Sequence, residues 1–240
     1  MPKRWIGIVG TAALLALAPT ATFAQDVLPP GEGMIDQPCP AQAGLWFGHP
    51  YVRQNDWGWL CRYRAADEQA APQVVFIGDS ITEYWASSDP AFFAGGNANR
   101  GISGQTSPQM VLRFWQDVVA LHPRVVHIMA GTNDVAGNTG PNRIEDFRNN
   151  IRAMVTLARA NGVAVVLGSV LPANRFGWKP TMQPAARIAE INAWLKDFAQ
   201  ANGLVYADYH AAMVMPDGAL NPDFTKDGVH PVAAGYAVMR

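Results

Sequence analysis

The chain has 240 residues, with 18 Lys and Arg against 19 Asp and Glu, and 49% hydrophobic but only 15% charged residues. A net charge of −1 at this apolar content excludes a disordered chain, and it leaves no basic excess to meet the phosphates of a nucleic acid. Apolar runs of about 20 residues, which a polytopic membrane protein needs in several copies, are approached only at the N-terminus.

That N-terminus reads as an export leader. Lys3 and Arg4 precede an uncharged apolar run from Trp5 to Ala18, and Thr22-Phe23-Ala24 carries the small-x-Ala pattern of a signal-peptidase site. Residues 1–24 are therefore expected to be removed in a periplasmic or extracellular protein. The run is short for a membrane anchor, and no Cys follows the cleavage site to take a lipid. In that oxidising setting Cys39 and Cys61 read as one disulfide, which would contribute on the order of 3 kcal/mol by restricting the unfolded chain. The five histidines (His49, His122, His127, His210, His230) are scattered without ligand spacing, so neither a metal nor another cofactor is expected.

Residues 25–72 form an irregular arm, rich in Pro and Gly and threaded with Trp46, Phe47, Tyr51, Trp57, Trp59 and Tyr63. Scattered aromatics of this kind usually pack inward, so the arm is expected to lie on the main domain, pinned by the disulfide. A surface for sugar rings is the competing reading.

From residue 73 to 240 strand and helix patterns alternate. Short apolar runs at Val74–Ile77, Val125–Ala130, Val163–Leu171 and Leu204–Tyr206 show no polar alternation, as in strands covered on both faces of a parallel sheet. Between them, Ser107 as N-cap and Pro108 at the first helical position open a helix to about residue 121. Others cover about 144–161 and 184–202, each ending in Ala-Asn-Gly. A last helix starts near Pro231 and is still running at Arg240, which leaves open a longer helix in a longer chain. The alternation predicts an α/β three-layer domain.

In such sheets ligands bind beyond the carboxyl ends of the strands. The first strand ends in Gly78-Asp79-Ser80-Ile81-Thr82, where a serine in the following turn suits a nucleophile or, more plainly, an N-cap. Thr82 departs from the Gly-x-Ser-x-Gly elbow. The loop Asn99-Arg100-Gly101-Ile102-Ser103-Gly104-Gln105-Thr106 has two glycines that let backbone amides approach a ligand, without the pattern of a phosphate-binding loop. After the strand at 125–130 comes Gly131-Thr132-Asn133-Asp134, whose Asn133 amide can donate to an oxyanion or simply close the turn. Near the C-terminus, Asp227-Gly228-Val229-His230-Pro231 places an acid and a base three residues apart, on one face if that turn is helical. His210 is the rival base, with Ala207 where an acid would be needed.

These four segments, in this order, resemble the signature blocks of the SGNH/GDSL hydrolases over roughly residues 73–240. Ile81 stands where that family's name has Leu, a variant similar to the platelet-activating-factor-acetylhydrolase-like and lysophospholipase-L1-like branch. The resemblance implies a flavodoxin-like α/β/α sandwich with a mostly parallel sheet. It makes Ser80 the nucleophile, His230 the general base and Asp227 its partner. The oxyanion hole would be the Ser80 and Gly104 amides with the Asn133 side chain, Gly101 being the competing glycine. Asp79 and Asp134 receive no proton-transfer role from it. The activity implied is hydrolysis of a carboxylic ester through an acyl-enzyme. The ester could be a short acyl group on a carbohydrate, a direction Trp57, Trp59, Trp85 and Trp178 favour, or a lipid, lysophospholipid or thioester. Of another class would be a non-catalytic carbohydrate-binding protein on the same fold.

Overall fold

Four of the five strands form where β-branched residues cluster. The computed structural model describes residues 39, 48–68 and 70–240; the expected leader and most of the first half of the arm lie outside the described residues. The strands β1 (Val74–Gly78), β2 (Asn97–Gly101), β3 (Val125–Met129), β4 (Ala164–Gly168) and β5 (Val205–Ala207) make one all-parallel sheet in the order β2-β1-β3-β4-β5. Helices α1 (Pro50–Asn55) and α2 (Arg64–Asp67) precede the sheet. Helices α3 (Ser80–Ser88) and α4 (Pro90–Ala94) connect β1 to β2, and α5 (Ser107–Asp117) leads to β3. Helices α6 (Thr132–Ala136) and α7 (Ile144–Ala160) lead to β4, and α8 (Ala185–Ala201) to β5, before α9 (Tyr209–Met213) and α10 (Ala233–Met239).

Side chains alternate across the sheet with period two, and each face buries its own core. Val75, Ile77, Val126 and Ile128 point to one side, against Met110 and Phe114 of α5, Ile151 and Met154 of α7 and Leu195 of α8. Phe76 and Met129 point to the other, against Ile81 and Trp85 of α3, Met213 of α9 and Tyr236 of α10. The result is the flavodoxin-like three-layer sandwich, whose strand order reverses between β1 and its neighbours β2 and β3. Tyr236 donates to the carbonyl of Ile81 at 2.8 Å, fastening the C-terminal helix beside the end of β1.

Several local expectations are corrected. The composition of β2 predicts a loop, because Asn-Ala-Asn-Arg-Gly holds no β-branched or aromatic residue. Its edge position and pairing with β1 supply what propensity does not. The N-cap of α5 is Thr106, not Ser107, with the Gln109 side chain accepting the Thr106 amide at 3.0 Å. The strand expected from Val163 begins one residue later, since the Val163 amide closes α7 on the Ala158 carbonyl.

The described part of the arm packs on the loop after β2. Trp59 and Val52 are buried with Ile102, and Tyr63 lies against them. Gln105 and Gln109 donate to the carbonyls of Gly58 and Trp57. Arg100 pairs with Asp67, and Cys39 and Cys61 form the disulfide.

Candidate active site

Ser80 is the first residue of α3, so its amide is one of those a helix leaves without an internal partner. Asp79, not Ser80, caps the helix: its Oδ1 accepts the Ile81 amide at 2.9 Å. The Ser80 hydroxyl lies 2.9 Å from Nε2 of His230, a residue 150 positions away. On the other side of the ring, Nδ1 is 2.6 Å from Oδ2 of Asp227. Residues 226–230 are not helical; Asp227 and His230 meet because Asp227 Oδ1 accepts the amides of Val229 and His230, at 2.9 and 2.8 Å. Burial alone would raise the Asp227 carboxyl. The His230 ring and these amides outweigh it and hold the group at about 2. The ring of Tyr84, on α3, stands 5.3 Å from that of His230, a neighbour with no signal in the sequence.

The register places Gly78 opposite both Gly101 and Met129, so the chain leaves β1, β2 and β3 side by side. Asn133 ties the three loops together: its side-chain amide donates to Asp79 Oδ2 at 3.2 Å and to the Gln105 carbonyl at 3.1 Å. Both bonds are long for an N–H donor, and the group is nearly fully buried. Its Oδ1 accepts from Asn138 at 2.6 Å. Of the two competing glycines, Gly101 is needed for packing, because a Cβ there would lie 2.1 Å from the Glu83 amide nitrogen of α3. Gly104 has φ +79°, the left-handed backbone that glycine tolerates, and directly precedes Gln105. Glu83 holds this loop in place by accepting both the amide and the hydroxyl of Ser103.

Sequence reasoning missed the support beneath these loops. Arg113 is wholly buried and donates to Gln105 Oε1, Asp117 Oδ2 and the Gly78 carbonyl, at 2.6, 2.8 and 3.0 Å. Its i, i+4 spacing to Asp117 is visible in the chain, but such pairs normally lie on a helix surface. Asp134 accepts the Ser107 amide and hydroxyl, joining the loops after β2 and β3. Burial raises the carboxyls of Asp134 and of Asp79, the latter to about 6. His210 is half-buried, and its amide donates to Ser169. Trp59 and Trp85 are core residues, which removes them from any binding surface, whereas Trp57 and Trp178 are exposed. Among the described residues no three His, Cys, Asp or Glu side chains could hold a metal ion, and no helix is long and apolar enough to cross a membrane.

The strand order and the loop cluster at the carboxyl ends of β1, β2 and β3 define the SGNH-type α/β fold. Residues 76–238 match the GDSL-like lipase/acylhydrolase family, and the chain belongs to it. A candidate acylhydrolase from Bacteroides fragilis is 45% identical, with a TM-score of 0.75 over 78% of this chain and 94% of that one. An acetylxylan esterase from Xylanibacter ruminicola is 28% identical over 82% of this chain and 47% of its own length. The platelet-activating factor acetylhydrolase IB subunit alpha1 of Pongo abelii is 27% identical over 77% of this chain and 80% of that one. The chain thus spans about half of the acetylxylan esterase, and 32% of a Bacillus subtilis lipoprotein to which it is 38% identical over 77 residues.

Proposed function

We propose that the protein is a serine esterase that removes short acyl groups through an acyl-enzyme. The observation that carries this reading is the unbroken chain Ser80 Oγ, His230, Asp227, with contacts of 2.9 and 2.6 Å. A serine hydroxyl is a weak nucleophile until a base takes its proton, and the base needs an anion to fix its tautomer and stabilise its charged form. His230 takes the proton from Ser80 as Oγ attacks the ester carbonyl. The amides of Ser80 and Gly104, with the Asn133 side chain, receive the oxyanion, each donor worth roughly 3 kcal/mol of barrier. Asn133 serves by exchanging one of its two long bonds for the oxyanion. His230 then protonates the departing alcohol, and water releases the acid by the reverse sequence.

A short acyl chain is supported by two relatives whose names carry an acetyl ester, the acetylxylan esterase and the platelet-activating factor acetylhydrolase. The disulfide and the leader pattern of residues 1–24 support action outside the cytoplasm. The test is hydrolysis of 4-nitrophenyl acetate by the purified protein and by Ser80→Ala. Turnover is expected in the first and none above background in the second. Activity retained by Ser80→Ala removes the assignment, and a wild-type protein inert on acetyl, butyryl and octanoyl esters favours the binding-only reading.

A further inference from the structure

The segment containing α1 faces the loop after α6 across a cleft of about 440 Å³, lined by Val52, Arg53, Trp57, Asn138 and Thr139 among others. Two hydrogen bonds join this cleft to the loops of the proposed oxyanion hole. Asn138 donates to Asn133 Oδ1 at 2.6 Å, and Thr139 shares a hydrogen bond of 2.8 Å with Thr106, two residues after Gly104. The cleft therefore borders two of the loops of the proposed oxyanion hole, on a side that the alcohol half of a bound ester could reach.

Its lining has a distinct chemistry. Trp57 is 41% exposed, and its backbone is held by Gln109, whose amide donates to the Trp57 carbonyl at 2.7 Å. Beside it stand the exposed guanidinium of Arg53, the Asn138 amide and the Thr139 hydroxyl. A second exposed tryptophan, Trp178, stacks on Phe176 at 4.9 Å and donates its indole N–H to Asn138 at 3.1 Å. An indole face with a rim of amide, hydroxyl and guanidinium groups matches a molecule with an apolar C–H face and a rim of hydroxyls. An alkyl chain would desolvate the Arg53 guanidinium and leave unused the second donor and acceptor sites of Asn138 and Thr139.

We propose that this cleft is the alcohol subsite and that the alcohol is a sugar ring, stacked on Trp57 and bonded by Arg53, Asn138 and Thr139. This rests on the esterase reading for its consequence, but not for its test. Calorimetric titration of Ser80→Ala with an acetylated xylo-oligosaccharide should show saturable binding. Adding Trp57→Ala should weaken it about threefold to tenfold, the loss expected for one aromatic contact, and Trp57→Phe should restore most of it. Arg53→Ala, at an exposed side chain, repeats the test if the Trp57→Ala protein does not fold. The proposal is overturned if the oligosaccharide binds none of these proteins or binds all equally. It is also overturned if a lysophospholipid, and not the oligosaccharide, shows the dependence on Trp57. Binding without release of acetate by the wild-type protein leaves the subsite standing and removes the esterase reading.

Discussion

The buried guanidinium of Arg113 donates to the carbonyl of Gly78 at 3.0 Å, two residues before Ser80. Through Gln105 the same side chain reaches the loop that carries Gly104, so one cation braces two of the three strand ends of the candidate site.

Removing that cation leaves Asp117, 1% exposed, with an uncompensated charge, and frees two further acceptors. Arg113→Met is expected to cost about 3–5 kcal/mol, seen as a lowered urea midpoint at unchanged slope. Arg113→Met combined with Asp117→Leu should recover part of this loss, since no uncompensated charge then remains at this position. Equal instability of the single and double variants would contradict the account.

Asp227 is held ionised down to about pH 2, so it should contribute no limb to the pH–rate profile above pH 4. Asp227→Asn keeps the size but removes the anion beside His230 Nδ1. Turnover on 4-nitrophenyl acetate is expected to fall about 10²-fold or more, with KM little changed. Steady-state kinetics of the variant decide this.

For Asn133→Ala the expected loss is likewise about 10²- to 10³-fold in turnover, because the lost donor acts on charge that develops only in the transition state. A rise in KM with intact turnover would instead assign Asn133 to substrate binding or to loop closure.

His127, in the middle of β3, is 3% exposed and its ring meets the Tyr209 hydroxyl at 3.0 Å. Burial lowers its pKa from the usual 6.5 to about 4. The unfolded chain therefore takes up a proton there before the folded one does, and stability is lost as pH falls from about 6.5 to 4. His127→Gln removes this dependence. The stability of the wild type relative to the variant should drop by roughly 3 kcal/mol between pH 7 and pH 4, measured by chemical denaturation at each pH.

Which parts of the molecule could be read in advance follows from the range of the forces involved. Strands β1 and β3 were legible because a strand covered on both faces must be apolar along its length. Helices α7 and α8 were legible from their lengths and glycine ends. Strand β2 was not, because its five residues are held by the neighbouring strand and by α3 rather than by their own preference. Asp227 and His230 were legible as a pair, but their meeting through an Asx-type turn, and not a helical one, depended on which amides the carboxylate captured.

By itself the sequence determined the alternation that makes an α/β sandwich, and the order of Gly78–Thr82, Asn99–Thr106, Gly131–Asp134 and Asp227–Pro231, because both are local patterns along the chain. It placed Gly104 ahead of Gly101 only through the family resemblance. Tertiary structure gives Gly101 a separate reason to be glycine, since the closeness of α3 to β2 forbids a side chain there. It likewise sorted four tryptophans that look alike in one dimension, burying Trp59 and Trp85 and leaving Trp57 and Trp178 in solvent. Burial depends on what other segments bring to a residue, and that is decided only when the chain closes on itself.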